Sequence, residues 1–214
     1  MILVPVKNLA NAKQRLAVVM EQSARTELAH AMLEDVLDAL AESAADKVSL
    51  VTSDSFAIEL ADHHRFVVIP DDSNLSETAA IEMATRVCES RGVQSTLVIP
   101  ADIPLIEAAD VRAIYDGASA TGTVLVPSAD QRGTNAALRR PAALFPLRFG
   151  NDSFMPHLVA AIATRSSCVV LSLPRIALDI DTPEDLQLLV NAGAEKRSQR
   201  LAQKFGFSVA VADV

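Results

Sequence analysis

The stretch T-L-V-I-P-A-D-I-P-L, residues 96 to 105, decides the fold. Thr96 to Ile99 is a β-branched and aliphatic run of the kind that forms a strand buried on both faces, and Pro100 ends its ladder pairing because it has no N–H. The carboxylate of Asp102 then falls just past a strand end, on a loop stiffened by a proline on either side. In an open α/β sheet that edge is where ligands collect. An aspartate there is as often only a cap or turn former. A second acidic turn, A-L-D-I-D-T-P-E-D-L at 177 to 186, also follows an apolar run. Two such turns would bring two carboxylates to one divalent cation.

Outward from this centre the pattern alternates. Ile2 to Val6, Val48 to Thr52 and Phe66 to Ile69 read as strands upstream, and Thr123 to Val126 and Cys168 to Leu173 downstream. Between them apolar residues recur at helical spacing. From Glu21 to Ala45 the residues Leu28, Met32, Val36, Leu37 and Leu40 mark a core-packing helix. Ser53-Asp54 caps a short helix to His63, and further helices span 76–90 and 107–119. Another runs to about Arg165, and Thr182-Pro183-Glu184 opens the last, with Asp185 a partner of its dipole. His30 reads as a boundary residue, and the adjacent His63 and His64 as solvated, since neighbours on a helix diverge.

At 214 residues and half hydrophobic, the chain makes one well-packed domain. No apolar stretch approaches the roughly 20 residues that span a bilayer. The opening M-I-L-V-P-V-K lacks the order of a secretory signal, so the cytoplasm is expected. Cys88 and Cys168 have no metal-ligand spacing and read as small buried hydrophobes. A net charge of −8 argues against nucleic-acid and anionic-membrane partners.

Local basicity runs against that balance. The first twenty residues hold Lys7, Lys13 and Arg15 and no acid, in a chain with 27 acids and 19 bases. Following the first strand, these side chains suit an anion such as a phosphate; a solvated loop is the bland alternative. Neither a Walker A sequence nor G-x-G-x-x-G occurs. Three other places suit an anion or a polar ligand: the start of the 76–90 helix, the G-T-N turn at 133–135, and the helix start at Gly150 and Ser153. The stretch from Gln131 to Arg139 reads as a polar turn with a short apolar run, or equally as a hairpin loop.

Five blocks in one order carry a family resemblance: V-P-V-K-x-L-x-x-A-K-x-R-L from Val4, P-A-D-I-P-L from Pro100, G-T-N-A-x-L from Gly133, F-G-x-x-S-F from Phe149 and L-D-I-D-T-P-E-D-L from Leu178. Over about residues 1 to 190 the chain resembles the CofC family of guanylyltransferases in coenzyme F-420 biosynthesis. The resemblance implies a three-layer nucleotidyltransferase fold, similar to nucleotide-diphospho-sugar transferases, with a mostly parallel central sheet over residues 1–193. It implies GMP transfer from GTP to 2-phospho-L-lactate, phosphoenolpyruvate or 3-phospho-D-glycerate, with pyrophosphate released. Asp102 and Asp181 match the acids that hold Mg²⁺, and with Lys13 they form the catalytic set. Val4, Pro5, Lys7, Lys13 and Arg15, with Thr78, Pro100 and Ala101, match the nucleotide side. Thr134, Asn135, Gly150 and Ser153 match the acceptor side. Where the family reads G-L-N-A-A-L, this chain has Ser76-Glu77-Thr78-Ala79-Ala80-Ile81. A nucleotidyltransferase with another acceptor, or a nucleotide-binding module without turnover, are the competing readings. The tail at 194–214 is expected as a helical extension or partly disordered, and its F-S-V-A-V-A stretch could pair with a second copy as a homodimer or fray.

Overall fold

The computed structural model describes residues 1–72, 75–150 and 152–208. Its strands are β1 (Ile2–Pro5), β2 (Val48–Val51), β3 (Val67–Ile69), β4 (Thr96–Val98), β5 (Gly122–Pro127), β6 (Thr134–Arg140) and β7 (Ser167–Val170). Its helices are α1 (Gln22–Ser43), α2 (Ser55–His64), α3 (Glu77–Ser90), α4 (Ala108–Asp116), α5 (Phe154–Ala163), α6 (Pro174–Ala177), α7 (Pro183–Asn191) and α8 (Arg197–Lys204). The strands form one sheet in the order β3-β2-β1-β4-β6-β5-β7. β1 lies parallel between β2 and β4, with Ile2 opposite Val48 and Leu97.

Side-chain alternation along β1 builds the two outer layers. Ile2 and Val4 enter a core with Leu33 and Leu37 of α1, Ile114 of α4 and Leu189 of α7. Leu3 points the other way, to Ile81 and Ala84 of α3 and Ala161 of α5. A strand covered on both faces needs apolar residues throughout, and all four of β1 are buried. The three-layer, mostly parallel α/β architecture expected from the sequence is the one observed.

Three local readings are settled or revised by the structure. The stretch from Gln131 to Arg139 is a hairpin: residues 128–133 close it, and β6 runs antiparallel between β4 and β5, with Leu138 opposite Leu97 and Ala137 opposite Leu125. The segment after 193 does not extend α7. Gly193, in the left-handed region at φ +64°, turns the chain away, and α8 packs separately. Asp35 of α1 accepts from the Arg197 and Ser198 amides and the Ser198 hydroxyl, and Gln199 donates to the Leu189 carbonyl. Most of F-S-V-A-V-A lies outside the described residues. His64 is not solvated but half-buried, its ring stacked on Phe66 at 5.2 Å and 3.6 Å from Asp38.

Sequence reading also passed over Arg139, which is 1% exposed on β6. Among the described residues its guanidinium meets no carboxylate; it donates to the Phe145 carbonyl and to the hydroxyls of Thr85 and Thr96. Burial pushes its pKa down to about 10, which still leaves it charged at neutral pH. One side chain thus ties β6 to α3, β4 and the 141–147 turn. Arg139→Ala removes those bonds and leaves a cavity, so we expect a loss on the order of 3 kcal/mol, read as a fall in Tm of about 6–12 °C.

Candidate active site

The chain spreads from β1 to β2 and β3 on one side, then crosses to β4 on the other. Such a switch point opens a crevice at the carboxyl ends of β1 and β4. The loop after β1 enters it through two short 3-10 turns, Leu9–Asn11 and Gln14–Val18. Between them Lys13 takes a left-handed conformation, φ 54° and ψ 45°, that side-chain-bearing residues seldom adopt. Its side chain is only 8% exposed, and its ammonium donates to Asp102 Oδ2 at 2.7 Å and Asp181 Oδ1 at 2.9 Å.

The two acidic turns are also joined through backbone. The Ile180 N–H donates to the Asp102 carbonyl at 3.0 Å. Asp185, expected only as a dipole partner, closes a reciprocal cap with Thr182 and accepts from the Asp181 N–H. The backbone that carries Asp181 is therefore held from both sides. Arg15, largely exposed, reaches the second Asp181 oxygen at 3.5 Å.

Charge is crowded here. Burial alone would lower the Lys13 pKa, but Asp102 and Asp181 outweigh it and raise it. Burial pushes Asp181 up, and the Lys13 and Arg15 charges more than reverse that, leaving it below the usual carboxylate range. Glu77, at the start of α3, is pushed up to about 7 by burial and then by the charge of Asp102. Asp179 is raised by burial and by the charges of Asp102 and Asp181, against the hydrogen bond from Asn135. Among the described residues no group of three His, Cys, Asp or Glu side chains is placed to hold a metal alone.

Two cavities meet at this centre. One, of about 480 Å³, lies along the first loop and is lined by Pro5, Lys7, Lys13, Arg15, Pro100, Ala101 and Asp102 among others. Lys7 there pairs with buried Asp71 at 2.5 Å. The other, of about 550 Å³, holds Thr134, Asn135, Gly150 and Ser153 together with Asp102, Asp179 and Asp181. Gly150 has φ +121° with open space where a Cβ would stand, so backbone conformation rather than room calls for glycine.

Two expected nucleotide contacts sit elsewhere. Val4 is fully buried in the sheet and lines neither cavity, because its strand position faces the α1 core. Thr78 also lines neither; its hydroxyl exchanges bonds with the Phe149 backbone, accepting at 2.9 Å and donating at 3.3 Å. Asn135 commits its amide N–H groups to the carbonyls of Ile176 and Ala177 and to Asp179, fixing the second acidic loop. Sequence reading missed Arg132, whose ion pair with Asp152 joins the β5–β6 turn to the segment before α5 at the rim. It also missed His157, buried behind Thr134; the only sequence signal was its position one helical turn past Ser153.

A mostly parallel sheet with two acids and a basic loop at its switch point defines a protein of the nucleotidyltransferase class. Solved structures agree on the fold. A structure described as a nucleotide-diphospho-sugar transferase from Desulfovibrio desulfuricans superposes with a TM-score of 0.78 at 19% identity, covering 95% of this chain and 93% of that one. A 4-diphosphocytidyl-2C-methyl-D-erythritol synthase gives 0.59 at 14%, covering 88% and 95%. The family profile described as guanylyl transferase CofC like matches residues 1–213, beyond the 1–190 expected from the motifs. A phosphoenolpyruvate guanylyltransferase of Roseiflexus castenholzii is 34% identical over 203 residues, covering 95% of this chain and 93% of the relative. A 2-phospho-L-lactate guanylyltransferase of Methanothermobacter thermautotrophicus is 32% identical over 207 residues, covering 97% and 91%. The chain belongs to the CofC-like guanylyltransferase family.

The raised Glu77 carboxyl gives the ligand-free protein a pH signature. The folded chain keeps that proton up to about pH 7, whereas an unfolded chain releases it near 4.5, so stability declines as pH rises between the two. Glu77→Gln removes this contribution. We expect it to raise Tm by about 4 °C at pH 8 and by almost nothing at pH 4, measured by calorimetry without nucleotide or divalent cation.

Proposed function

We propose that this protein transfers GMP from GTP to a small phosphorylated carboxylic acid, releasing pyrophosphate, as a step of coenzyme F-420 biosynthesis in the cytoplasm. The observation that carries the reading is the Lys13 bridge between Asp102 and Asp181, set between a basic cavity and a second one rich in hydroxyls and backbone amides. A phosphate oxygen of the acceptor forms the new bond to the α-phosphorus of GTP. The bond from that phosphorus to the α–β bridging oxygen breaks, and pyrophosphate leaves with the electron pair. An acceptor phosphate is already ionised at neutral pH, so no general base is needed, and positioning does most of the work.

The residues fit a Mg²⁺. Two hard carboxylate oxygens, from Asp102 and Asp181, converge within 2.7 and 2.9 Å of one cationic point. Mg²⁺ is commonly held by one or two carboxylates plus substrate phosphates and water, and two carboxylates are what Asp102 and Asp181 offer. When bound, it would supply charge neutralisation on the phosphates. Lys7, Lys13 and Arg15 hold the nucleotide phosphates, with Pro5, Pro100 and Ala101 against the nucleotide. Thr134, Ser153 and the Gly150 turn hold the acceptor carboxylate and phosphate. The relatives are named for phosphoenolpyruvate and for 2-phospho-L-lactate, and 3-phospho-D-glycerate shares their chemistry. The free thiols Cys88 and Cys168 accord with a reducing compartment.

Pyrophosphate release tests this. Each of GTP, ATP, CTP and UTP is incubated with Mg²⁺ and each of the three phospho-acids. GTP with one acceptor should give turnover, lost on chelation and reduced roughly 10³-fold in Asp102→Asn. Folded protein that turns over no pair would sink the proposal.

A further inference from the structure

We propose that His157 is a positioning residue for the phospho-acid: by donating its Nδ1–H to the Thr134 hydroxyl, it leaves that hydroxyl's own hydrogen for an oxyanion in the 550 Å³ cavity. This rests on the reading of that cavity as the acceptor site. His157 lies on α5, one turn past Ser153, and is 1% exposed. Its Nε2 stands 2.7 Å from the backbone N–H of Arg148. A backbone N–H can only donate, so Nε2 accepts and carries no proton. The ring proton is then on Nδ1, 2.9 Å from Thr134 Oγ1. Burial, followed by the charge of Arg139, pushes the ring pKa down to about 4, so this tautomer persists at neutral pH.

The consequence falls on two hydroxyls. Thr134 Oγ1 accepts from His157, and among the described residues nothing accepts its hydrogen in return. Ser153 Oγ accepts from the Thr134 N–H at 3.0 Å, and among the described residues nothing accepts its hydrogen either. Both side chains line the cavity with one lone pair engaged from behind. Hydroxyls in that state donate forward and so favour carboxylate or phosphate oxygens over neutral groups. The same imidazole accepts from the Arg148 backbone, and the neighbouring Phe149, which lines the cavity, packs edge-on against it at 5.3 Å. One neutral ring therefore sets the donor direction of the Thr134 hydroxyl in the cavity.

Two substitutions separate the ring's two bonds. Asparagine places an amide N–H near the Nδ1 position and keeps the donor to Thr134. Glutamine reaches the Nε2 position with its carbonyl and keeps only the bond from Arg148. With GTP and the phospho-acid turned over, phosphoenolpyruvate or 2-phospho-L-lactate, His157→Gln should raise the acceptor KM about tenfold or more and leave the GTP KM unchanged. His157→Asn should stay within about threefold of wild type on both. Thr134→Val should raise the acceptor KM as far as His157→Gln does, and the double variant should add nothing further. A merely structural histidine would lower kcat, through a smaller folded fraction, in both variants with KM unmoved; that result, or full additivity with Thr134→Val, would overturn the inference. A wild-type acceptor KM in Thr134→Val would instead remove the acceptor-site reading itself.

Discussion

The Lys13 ammonium between Asp102 and Asp181 is the contact on which the rest depends. Two like charges drawn to one point repel, and burial makes that repulsion worse. A cation between them is what allows two loops distant in the chain to meet. The sheet supplies the meeting place, because β1 and β4 are neighbours although β2 and β3 intervene in sequence. Lys13 follows β1, Asp102 follows β4, and the Ile180 to Asp102 backbone bond brings the third loop in. The left-handed backbone at Lys13 belongs to the same arrangement: strain is tolerated where a side chain must be delivered.

On either side of this contact the molecule uses different chemistry. The first loop presents the cations Lys7 and Arg15, paired with Asp71 and Asp181, which suit an anion. The β5–β6 hairpin and the start of α5 present hydroxyls whose direction is fixed by hydrogen bonds from behind, suited to a small acid with a few oxygens. The antiparallel β6 makes that possible by running back into the sheet, so that Thr134 begins beside the acidic turns while Arg139 anchors the far end.

Much of this was legible in the sequence because it depends on local pattern. The apolar run at 96–99, its proline and the following aspartate fix a strand end, and the T-P-E-D start fixes a helix cap, whatever the rest of the chain does. Lys13, Asp102 and Asp181 were named from chemistry and motif, and the structure brings them within hydrogen-bond reach. Side-chain direction was not legible. Val4 and Thr78 sit in the right segments but spend themselves on the core and on Phe149, since which way a residue faces is decided by partners remote in sequence. The same holds for His157, whose partners come from two other segments, and for Arg139, whose partners come from three. The separate α8 was missed because its anchor, Asp35, lies at the other end of the chain.

We propose that Lys13 holds Asp102 and Asp181 in place to share one divalent cation with the nucleotide. Mn²⁺ binding followed by electron paramagnetic resonance, with a non-hydrolysable GTP analogue, tests it most directly. Nucleotide-dependent Mn²⁺ binding is expected, weakened about tenfold or more in Asp102→Asn and in Asp181→Asn. Unchanged Mn²⁺ affinity in both variants would contradict it.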